Sequence, residues 1–308
     1  LSDTPGLTLV EMTEAMHDGQ VKGLYIMGEN PVLSDPDANH AEEALKNCEF
    51  LVVQDIFMTE TAQLADVVLP GSCFAEKDGT FTNTERRVSR VRKAVNMPEG
   101  AMQDIEILSN IASRMGVSLP NTDPEAVMEE ITSVTPSYGG ISYARIEETG
   151  LQWPCPDKDH PGTPILHQEK FARGLGLFAE VAHQEPAESP SAQYPLTLTT
   201  GRILYQYHTG TMTRRSEGLE FMAPKCEIEI NPADAEEYKL ATGDKVKVLS
   251  LRGEITATAL VTDRVPEKII FIPFHYAEAA VNKLTQAALD PVAKIPEYKV
   301  SAVQIAKA

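Results

Sequence analysis

The stretch VKGLYIM, residues 21–27, decides the fold of the first half of the chain, because it is a mostly apolar run that ends at Gly28. Such a run predicts a buried strand. Two further apolar runs follow at residues 50–53 and 67–69, and amphipathic segments separate the runs. The alternation of strand and helix predicts a parallel sheet.

Helical spacing and capping residues predict four helices in this half. The predicted segments are residues 41–46, 59–65, 104–115 and 123–131. In parallel α/β sheets, ligands bind beyond the carboxyl ends of the strands. The loop 28–31 and the pair Gln54-Asp55 fall at these ends, so they are the first candidates for a binding site.

The second half has a different pattern, in which apolar and polar residues alternate along short runs. These runs are residues 196–199, 227–230, 245–248 and 255–261. A period of two predicts strands, and closure into a small barrel would remove their exposed edges. Residues 137–192 are rich in Gly, Pro, His and Ser, which indicates a connection. We therefore predict an α/β region at 1–136, a connecting segment at 137–192 and a β-barrel domain at 193–308.

Composition excludes several classes of protein. The formal net charge of −18 argues against binding to nucleic acid or to an anionic membrane, because phosphate groups would be repelled. No apolar run is long enough to span a membrane, so direct membrane insertion is not expected. The four cysteines, Cys48, Cys73, Cys155 and Cys226, are widely spaced and form no C-x-x-C pair. We expect reduced thiols and neither an iron–sulfur cluster nor a metal site within this chain.

Several motifs together resemble the catalytic (alpha) subunit of formate dehydrogenases, in the molybdopterin oxidoreductase superfamily. They include YIMGENP at 25–31, VQDIFMT at 53–59, EKDGTFTNTERR at 76–87 and PEYK at 296–299. The resemblance implies an α/β cofactor-binding region followed by a double-psi β-barrel. It also implies a bis-molybdopterin guanine dinucleotide cofactor with molybdenum or tungsten, and the interconversion of formate and carbon dioxide. Nitrate reductases of the same superfamily are the nearest alternative.

The resemblance implies cofactor contacts at fourteen positions of this chain. The positions are Glu29, Gln54, Asp55, Lys77, Asp104, Thr200, Gly201, Arg202, Gln206, His208, Thr209, Phe274, Asn282 and Lys299. Their chemistry suits the cofactor, because a carboxylate accepts both ring donors of guanine, and a guanidinium or ammonium binds phosphate. Asp104 has a rival interpretation as a helix cap, and Phe274 has one as a core residue.

Catalysis in the resembling family needs a cysteine or selenocysteine on the metal, with a histidine and an arginine near formate. None of these matches a residue here, so we predict no catalytic residue and no metal ligand in this chain. The chain is then a carboxyl-terminal portion that is inactive by itself. An iron–sulfur cluster would lie only in an upstream part, and electron-transfer subunits are the expected partners.

Two other classes of function are less consistent with the sequence. A nicotinamide-dependent dehydrogenase is disfavoured, because no G-x-G-x-x-G follows a predicted strand. A cofactor-free scaffold subunit of a respiratory complex is the second alternative. Retention of Asp55, Asp104, Arg202, Asn282 and Lys299 argues against it, since such a scaffold has no evident use for these polar residues. A cytoplasmic location is favoured over a periplasmic one.

Overall fold

The computed structural model describes residues 2–308. Contacts between residues divide it into two compact units. The first unit combines the described residues up to Val68 with His183–Ala308, and the second unit is Leu69–Ala182. The predicted domain limits at 136 and 192 follow chain order and stay a prediction.

The chain opens with an α/β segment. Its elements are α1 (Leu9–His17), β1 (Gly23–Met27), α2 (Pro31–Ser34), α3 (Ala38–Asn47), β2 (Phe50–Asp55), a 3₁₀ turn (Ala62–Leu64) and β3 (Val67–Pro70). The sheet order is β1-β2-β3, and β1 pairs parallel with β2, with Met27 opposite Gln54. Ile26, Leu51 and Val53 are buried in the core of this segment. The predicted parallel sheet is confirmed.

One predicted helix of this segment is wrong. Residues 59–65 form only the single 3₁₀ turn Ala62–Leu64, in which the Thr59 hydroxyl accepts the N–H of Ala62 at 3.1 Å. In a segment this short, too few helical hydrogen bonds form to offset the free-energy cost of helix nucleation. A turn capped by a side chain replaces the helix. The short helix α2 was not predicted, although its first residue, Pro31, favours the first turn of a helix.

The second unit contains an antiparallel sheet and two helices. Its elements are β4 (Gly79–Thr82), β5 (Arg87–Val91), α4 (Asp104–Arg114), α5 (Pro124–Val134) and β6 (Leu151–Gln152). The sheet order is β4-β5-β6, and Val88, Met128 and Ile146 lie in the core of the unit. Both predicted helices are confirmed, and the Asp123 carboxylate caps α5 by accepting the N–H groups of Glu125 and Ala126.

The final part of the chain closes into a barrel. Its elements are β7 (Leu196–Gly201), α6 (Glu217–Met222), β8 (Glu227–Ile230), α7 (Pro232–Glu237), β9 (Lys245–Leu249), β10 (Glu254–Val261), β11 (Ile269–Pro273) and β12 (Ser301–Lys307). The strands follow the order β10-β8-β11-β7-β12-β9 and close into a barrel. Two pairs, β8 with β10 and β7 with β11, are parallel, and the other four are antiparallel. The predicted fold class, a parallel sheet followed by a β-barrel, is confirmed.

Alternating side chains fill this barrel. Leu198, Ile228, Val248 and Ile270 are fully buried, whereas their neighbours along each strand are partly exposed. The alternation that predicted the strands therefore separates the core from the outer face. Within residues 2–308, no helix has the length and apolar character needed to cross a membrane.

Candidate cofactor-binding site

A cavity of about 490 Å³ lies in the first unit, between the α/β segment and the barrel. Eight of the fourteen predicted residues line it: Glu29, Thr200, Gly201, Arg202, His208, Phe274, Asn282 and Lys299. Leu9, Ser34, Asp35 and Tyr298 complete the lining. The structure therefore brings together predicted residues from the end of β1, the end of β7 and the loops around β11 and β12.

One wall of the cavity is cationic. The Arg202 guanidinium lies 4.9 Å from the ring centre of Tyr207 and 5.8 Å from that of Phe274, and Lys299 Nζ donates to the carbonyl of Thr200 at 2.6 Å. Neither Arg202 nor Lys299 forms an ion pair with a carboxylate in residues 2–308. In a chain of net charge −18, two cations without acidic partners favour an anionic ligand. Both also line a larger groove of about 1040 Å³ on the barrel.

His275 holds the loop that carries Arg202 and His208, and the sequence analysis missed it. Its ring is fully buried; Nε2 accepts the N–H of Ile203 at 3.0 Å, and Nδ1 lies 2.5 Å from the carbonyl of His208. These contacts require a proton on Nδ1 and none on Nε2. Burial lowers the pKa of His275, which keeps the ring neutral in this role.

Two carboxyl groups, those of Glu29 and Asp35, also line the cavity. Asp35 is only 2% exposed, and burial raises the pKa of its carboxyl group to about 7, with a further rise from the nearby Glu29 charge. The Tyr298 hydroxyl donates to the carbonyl of Ser34 at 3.0 Å, and burial raises its pKa as well. Asp35 was not predicted, because Ser-Asp-Pro in a loop carries no signal of burial.

Asn282 connects the barrel to the α/β segment at the edge of the cavity. Its amide nitrogen donates to the carbonyls of Leu33 at 2.8 Å and Ser34 at 3.1 Å, and the residue is 2% exposed. These bonds use both amide hydrogens, so only its carbonyl oxygen has capacity left for a ligand. That oxygen lies 3.4 Å from the Thr285 hydroxyl.

Four predicted residues of the first unit lie outside the cavity lining. Gln54 is buried and accepts a hydrogen bond from the Tyr25 hydroxyl, and Asp55 accepts the N–H of Phe57 at 3.0 Å. Burial raises the pKa of Asp55. Gln206 is buried in bonds to Glu220, Ala223 and Thr213, while the Thr209 hydroxyl lies 2.9 Å from that of Thr211. The cofactor roles of these four residues stay predictions.

The remaining two predicted residues, Lys77 and Asp104, lie in the second unit and form an ion pair. Lys77 Nζ also donates to the carbonyl of Ser72 at 3.2 Å. The rival interpretation of Asp104 as the helix cap is wrong, because Gln103 holds the cap position of α4 and Asp104 is the first helical residue. The structure thus joins these two predicted residues to each other.

The four cysteines are all free, as expected, and Cys155 and Cys226 are buried. Burial raises the pKa of Cys226 to about 12, so its thiol stays protonated. In the described part of the chain, no group of three or more His, Cys, Asp or Glu side chains could hold a metal ion.

Comparison with known proteins gives two family matches. Residues 1–114 match the molybdopterin oxidoreductase family, and residues 196–302 match the molydopterin dinucleotide binding domain. The chain belongs to the molybdopterin oxidoreductase superfamily. The second match covers β7 to the start of β12, so the barrel is the dinucleotide-binding domain of this superfamily. These two family matches confirm the predicted class of cofactor, a molybdopterin guanine dinucleotide with molybdenum or tungsten.

Relatives from other organisms align along nearly the whole length of this chain. The F420-dependent formate dehydrogenase subunit alpha of Methanocaldococcus jannaschii is 52% identical over 99% of this chain and 46% of its own length. The assimilatory nitrate reductase catalytic subunit of Bacillus subtilis is 38% identical over 97% of the chain and 44% of its own length. The chain therefore spans less than half the length of these relatives.

A solved structure supports the fold. Acetylene hydratase from Pelobacter acetylenicus superposes with a TM-score of 0.75 at 19% identity, covering 97% of this chain and 46% of that one. The residues of the cavity also fit a dinucleotide. Arg202 and Lys299 suit its diphosphate, whereas the aromatic and carboxyl groups suit its ring systems.

Proposed function

We propose that this chain is the carboxyl-terminal, cofactor-binding part of a formate dehydrogenase that uses bis-molybdopterin guanine dinucleotide with molybdenum or tungsten. The observation that carries the proposal is the cavity, which is lined by two cations without ion-pair partners among residues 2–308 and by two carboxyl groups. The choice of formate over nitrate is supported by 52% identity to a formate dehydrogenase subunit, against 38% to a nitrate reductase.

The residues of this chain would bind and orient the cofactor. When bound, the cofactor supplies the metal centre for the interconversion of formate and carbon dioxide. Arg202 would bind the diphosphate, because Tyr207 and Phe274 fix the position of its guanidinium. Lys299 would add a second positive charge from the neighbouring strand connection. His275 would keep the N–H and carbonyl groups of the 202–208 loop in place.

We further propose that the chain does not oxidise formate by itself, since no residue in it matches the family's metal ligand. The names of the relatives, which are alpha subunits, support partner subunits that carry electrons. Four free cysteines support a cytoplasmic location, because reducing compartments maintain free thiols.

The test uses the natural full-length protein that contains this chain. Metal content and guanine nucleotide released by acid would be measured on one sample, together with formate-dependent and nitrate-dependent dye assays. We expect about two guanine nucleotides per metal and formate oxidation. Nitrate reduction would overturn the substrate, the absence of metal and nucleotide would favour a cofactor-free scaffold, and formate oxidation by the 308-residue chain alone would contradict its proposed inactivity.

Replacing Arg202 by alanine is expected to reduce the bound metal and nucleotide of the purified full-length protein by about tenfold or more. Loss of one charge-assisted contact to phosphate costs about 1.5–3 kcal/mol. Arg202→Lys keeps the charge and should retain part of the cofactor. Arg92→Ala is the matched control, because Arg92 is 51% exposed, pairs with Glu147 and lines neither the cavity nor the groove. Equal cofactor content in Arg202→Ala and Arg92→Ala would contradict the role of Arg202.

A further inference from the structure

Asp35 is a buried carboxyl group that lacks a cationic partner. It follows α2, where its N–H donates to the carbonyl of Pro31 at 3.0 Å. Its carboxyl group meets only hydroxyl groups: the Ser34 hydroxyl at 3.4 Å and that of Thr13. In residues 2–308, no Lys, Arg or His nitrogen lies within ion-pair distance of it. Buried carboxylates normally have a charged or N–H partner, so Asp35 has unused acceptor capacity.

The unused acceptor positions of Asp35 are available to a ligand, because Asp35 lies at a cavity. Asp35 lines the 490 Å³ cavity and also a smaller, apolar cavity of about 210 Å³ beside α1 and β1. The charged and titratable groups that share the larger cavity are Glu29, Arg202, His208, Tyr298 and Lys299. Two cations and two carboxyl groups thus line the same cavity. A ligand that matches them carries an anionic group and a flat ring with N–H donors.

Guanine and pterin share such a ring edge. Each presents a ring N–H beside an exocyclic amine on its 2-amino-4-oxopyrimidine ring, and a carboxylate accepts both bonds in a forked geometry. We propose that Asp35 binds this edge and so selects the ring system of the cofactor. The assignment rests on the proposed function and adds to it a residue that neither the sequence motifs nor the family matches indicate.

The other carboxyl groups are less suited to this role. Glu29 Oε1 already accepts the N–H of Asn30 at 3.0 Å. Asp55 accepts the N–H of Phe57 and does not line the cavity, and Asp104 pairs with Lys77 in the second unit. Of the carboxyl groups that line the cavity, Asp35 is therefore the one without an N–H or cationic partner.

Burial also makes the binding depend on pH. Only the ionised form of Asp35 accepts both ring donors, and its pKa is raised to about 7. We expect ligand binding to strengthen as the pH rises from 6 to 8. Replacement of Asp35 by asparagine should remove this dependence.

The test compares rings with and without the exocyclic amine. Full-length protein from a host that makes no molybdopterin would be titrated at pH 8 with GDP and IDP, and with neopterin and its 2-oxo (lumazine) analogue. We expect the amine-bearing member of one pair to bind about tenfold more tightly, by the value of one charged hydrogen bond. The pair that shows this difference identifies the ring, guanine or pterin, that Asp35 contacts.

Variants at position 35 distinguish a failure of the Asp35 assignment from a failure of the proposed function. Asp35→Asn should reduce the tenfold preference to nearly none, whereas Asp263→Asn, at an exposed position, should keep it. If the wild-type protein binds a guanine nucleotide or pterin and Asp35→Asn leaves its preference unchanged, the assignment to Asp35 is wrong and the proposed function stands. If the wild-type protein binds neither ring system, both are overturned.

Discussion

Asp35→Asn is expected to raise the free energy of unfolding of the first unit by about 4 kcal/mol at pH 8 and by much less at pH 4. The pKa of Asp35 is about 7 in the folded chain, against an ordinary value of 3.8. Each pH unit of difference corresponds to about 1.4 kcal/mol. Because the folded pKa is raised, the wild type loses stability as the pH rises from about 4 to 7 and stays at its lower level above 7.

Asparagine has nearly the same shape and does not ionise, so it avoids this loss. The gain should therefore grow between pH 4 and pH 7 and then remain constant. Urea denaturation followed by hydrogen exchange of peptides from β1 and β2 would measure it. Peptides from β5 in the second unit serve as the internal reference, since Asp35 lies in the first unit. A gain of equal size at pH 4 and pH 8 would show that ionisation of Asp35 is not the cause.

Leu198→Ala is expected to lower the free energy of unfolding of the barrel by about 3 kcal/mol. Leu198 is fully buried at the middle of β7, where it pairs with Ile270 of β11 on one side and with Ser301 of β12 on the other. Truncation removes buried methyl groups and leaves a cavity, a change that costs about 2–5 kcal/mol in protein cores. The closed barrel restricts relaxation, because strands on both sides hold β7 in place.

Hydrogen exchange of peptides from β7 and β11 in urea would measure this loss. Thr197→Ala is the matched control, because Thr197 precedes Leu198 on the same strand and is partly exposed on the outer face. The control should change stability by less than about 0.5 kcal/mol. Equal effects of the two substitutions would contradict the described alternation of β7.

The same alternation explains why the barrel strands could be predicted from sequence. Residues 227–230 and 245–248 alternate strictly, and the structure contains β8 and β9 at these positions. However, a local pattern along one strand does not specify which other strands pair with it. The pairing of β7 with both β11 and β12 depends on contacts between residues far apart in the chain, and so does the first unit, which combines residues before 69 with residues after 182.

The part of the candidate site that belongs to recognisable sequence motifs could be predicted. Arg202, His208 and Lys299 were predicted by resemblance, and they line one cavity. Asp35 and His275 were missed for a physical reason. Each is buried by residues distant in sequence: Asn282 and Tyr298 bind the carbonyl of Ser34 beside Asp35, whereas the 203–208 loop binds the ring of His275.

The acidic and the basic residues of the cavity are also synthesised at different times. Glu29 and Lys299 lie 299 − 29 = 270 residues apart in the chain. At about 5–20 residues per second, a ribosome needs roughly 10–50 s to synthesise that length. During this interval the nascent chain gains Arg202 but still lacks Lys299, so the cationic lining of the cavity is incomplete. The complete pocket therefore forms only after translation has passed Lys299, so a ligand that needs both cations binds after that point.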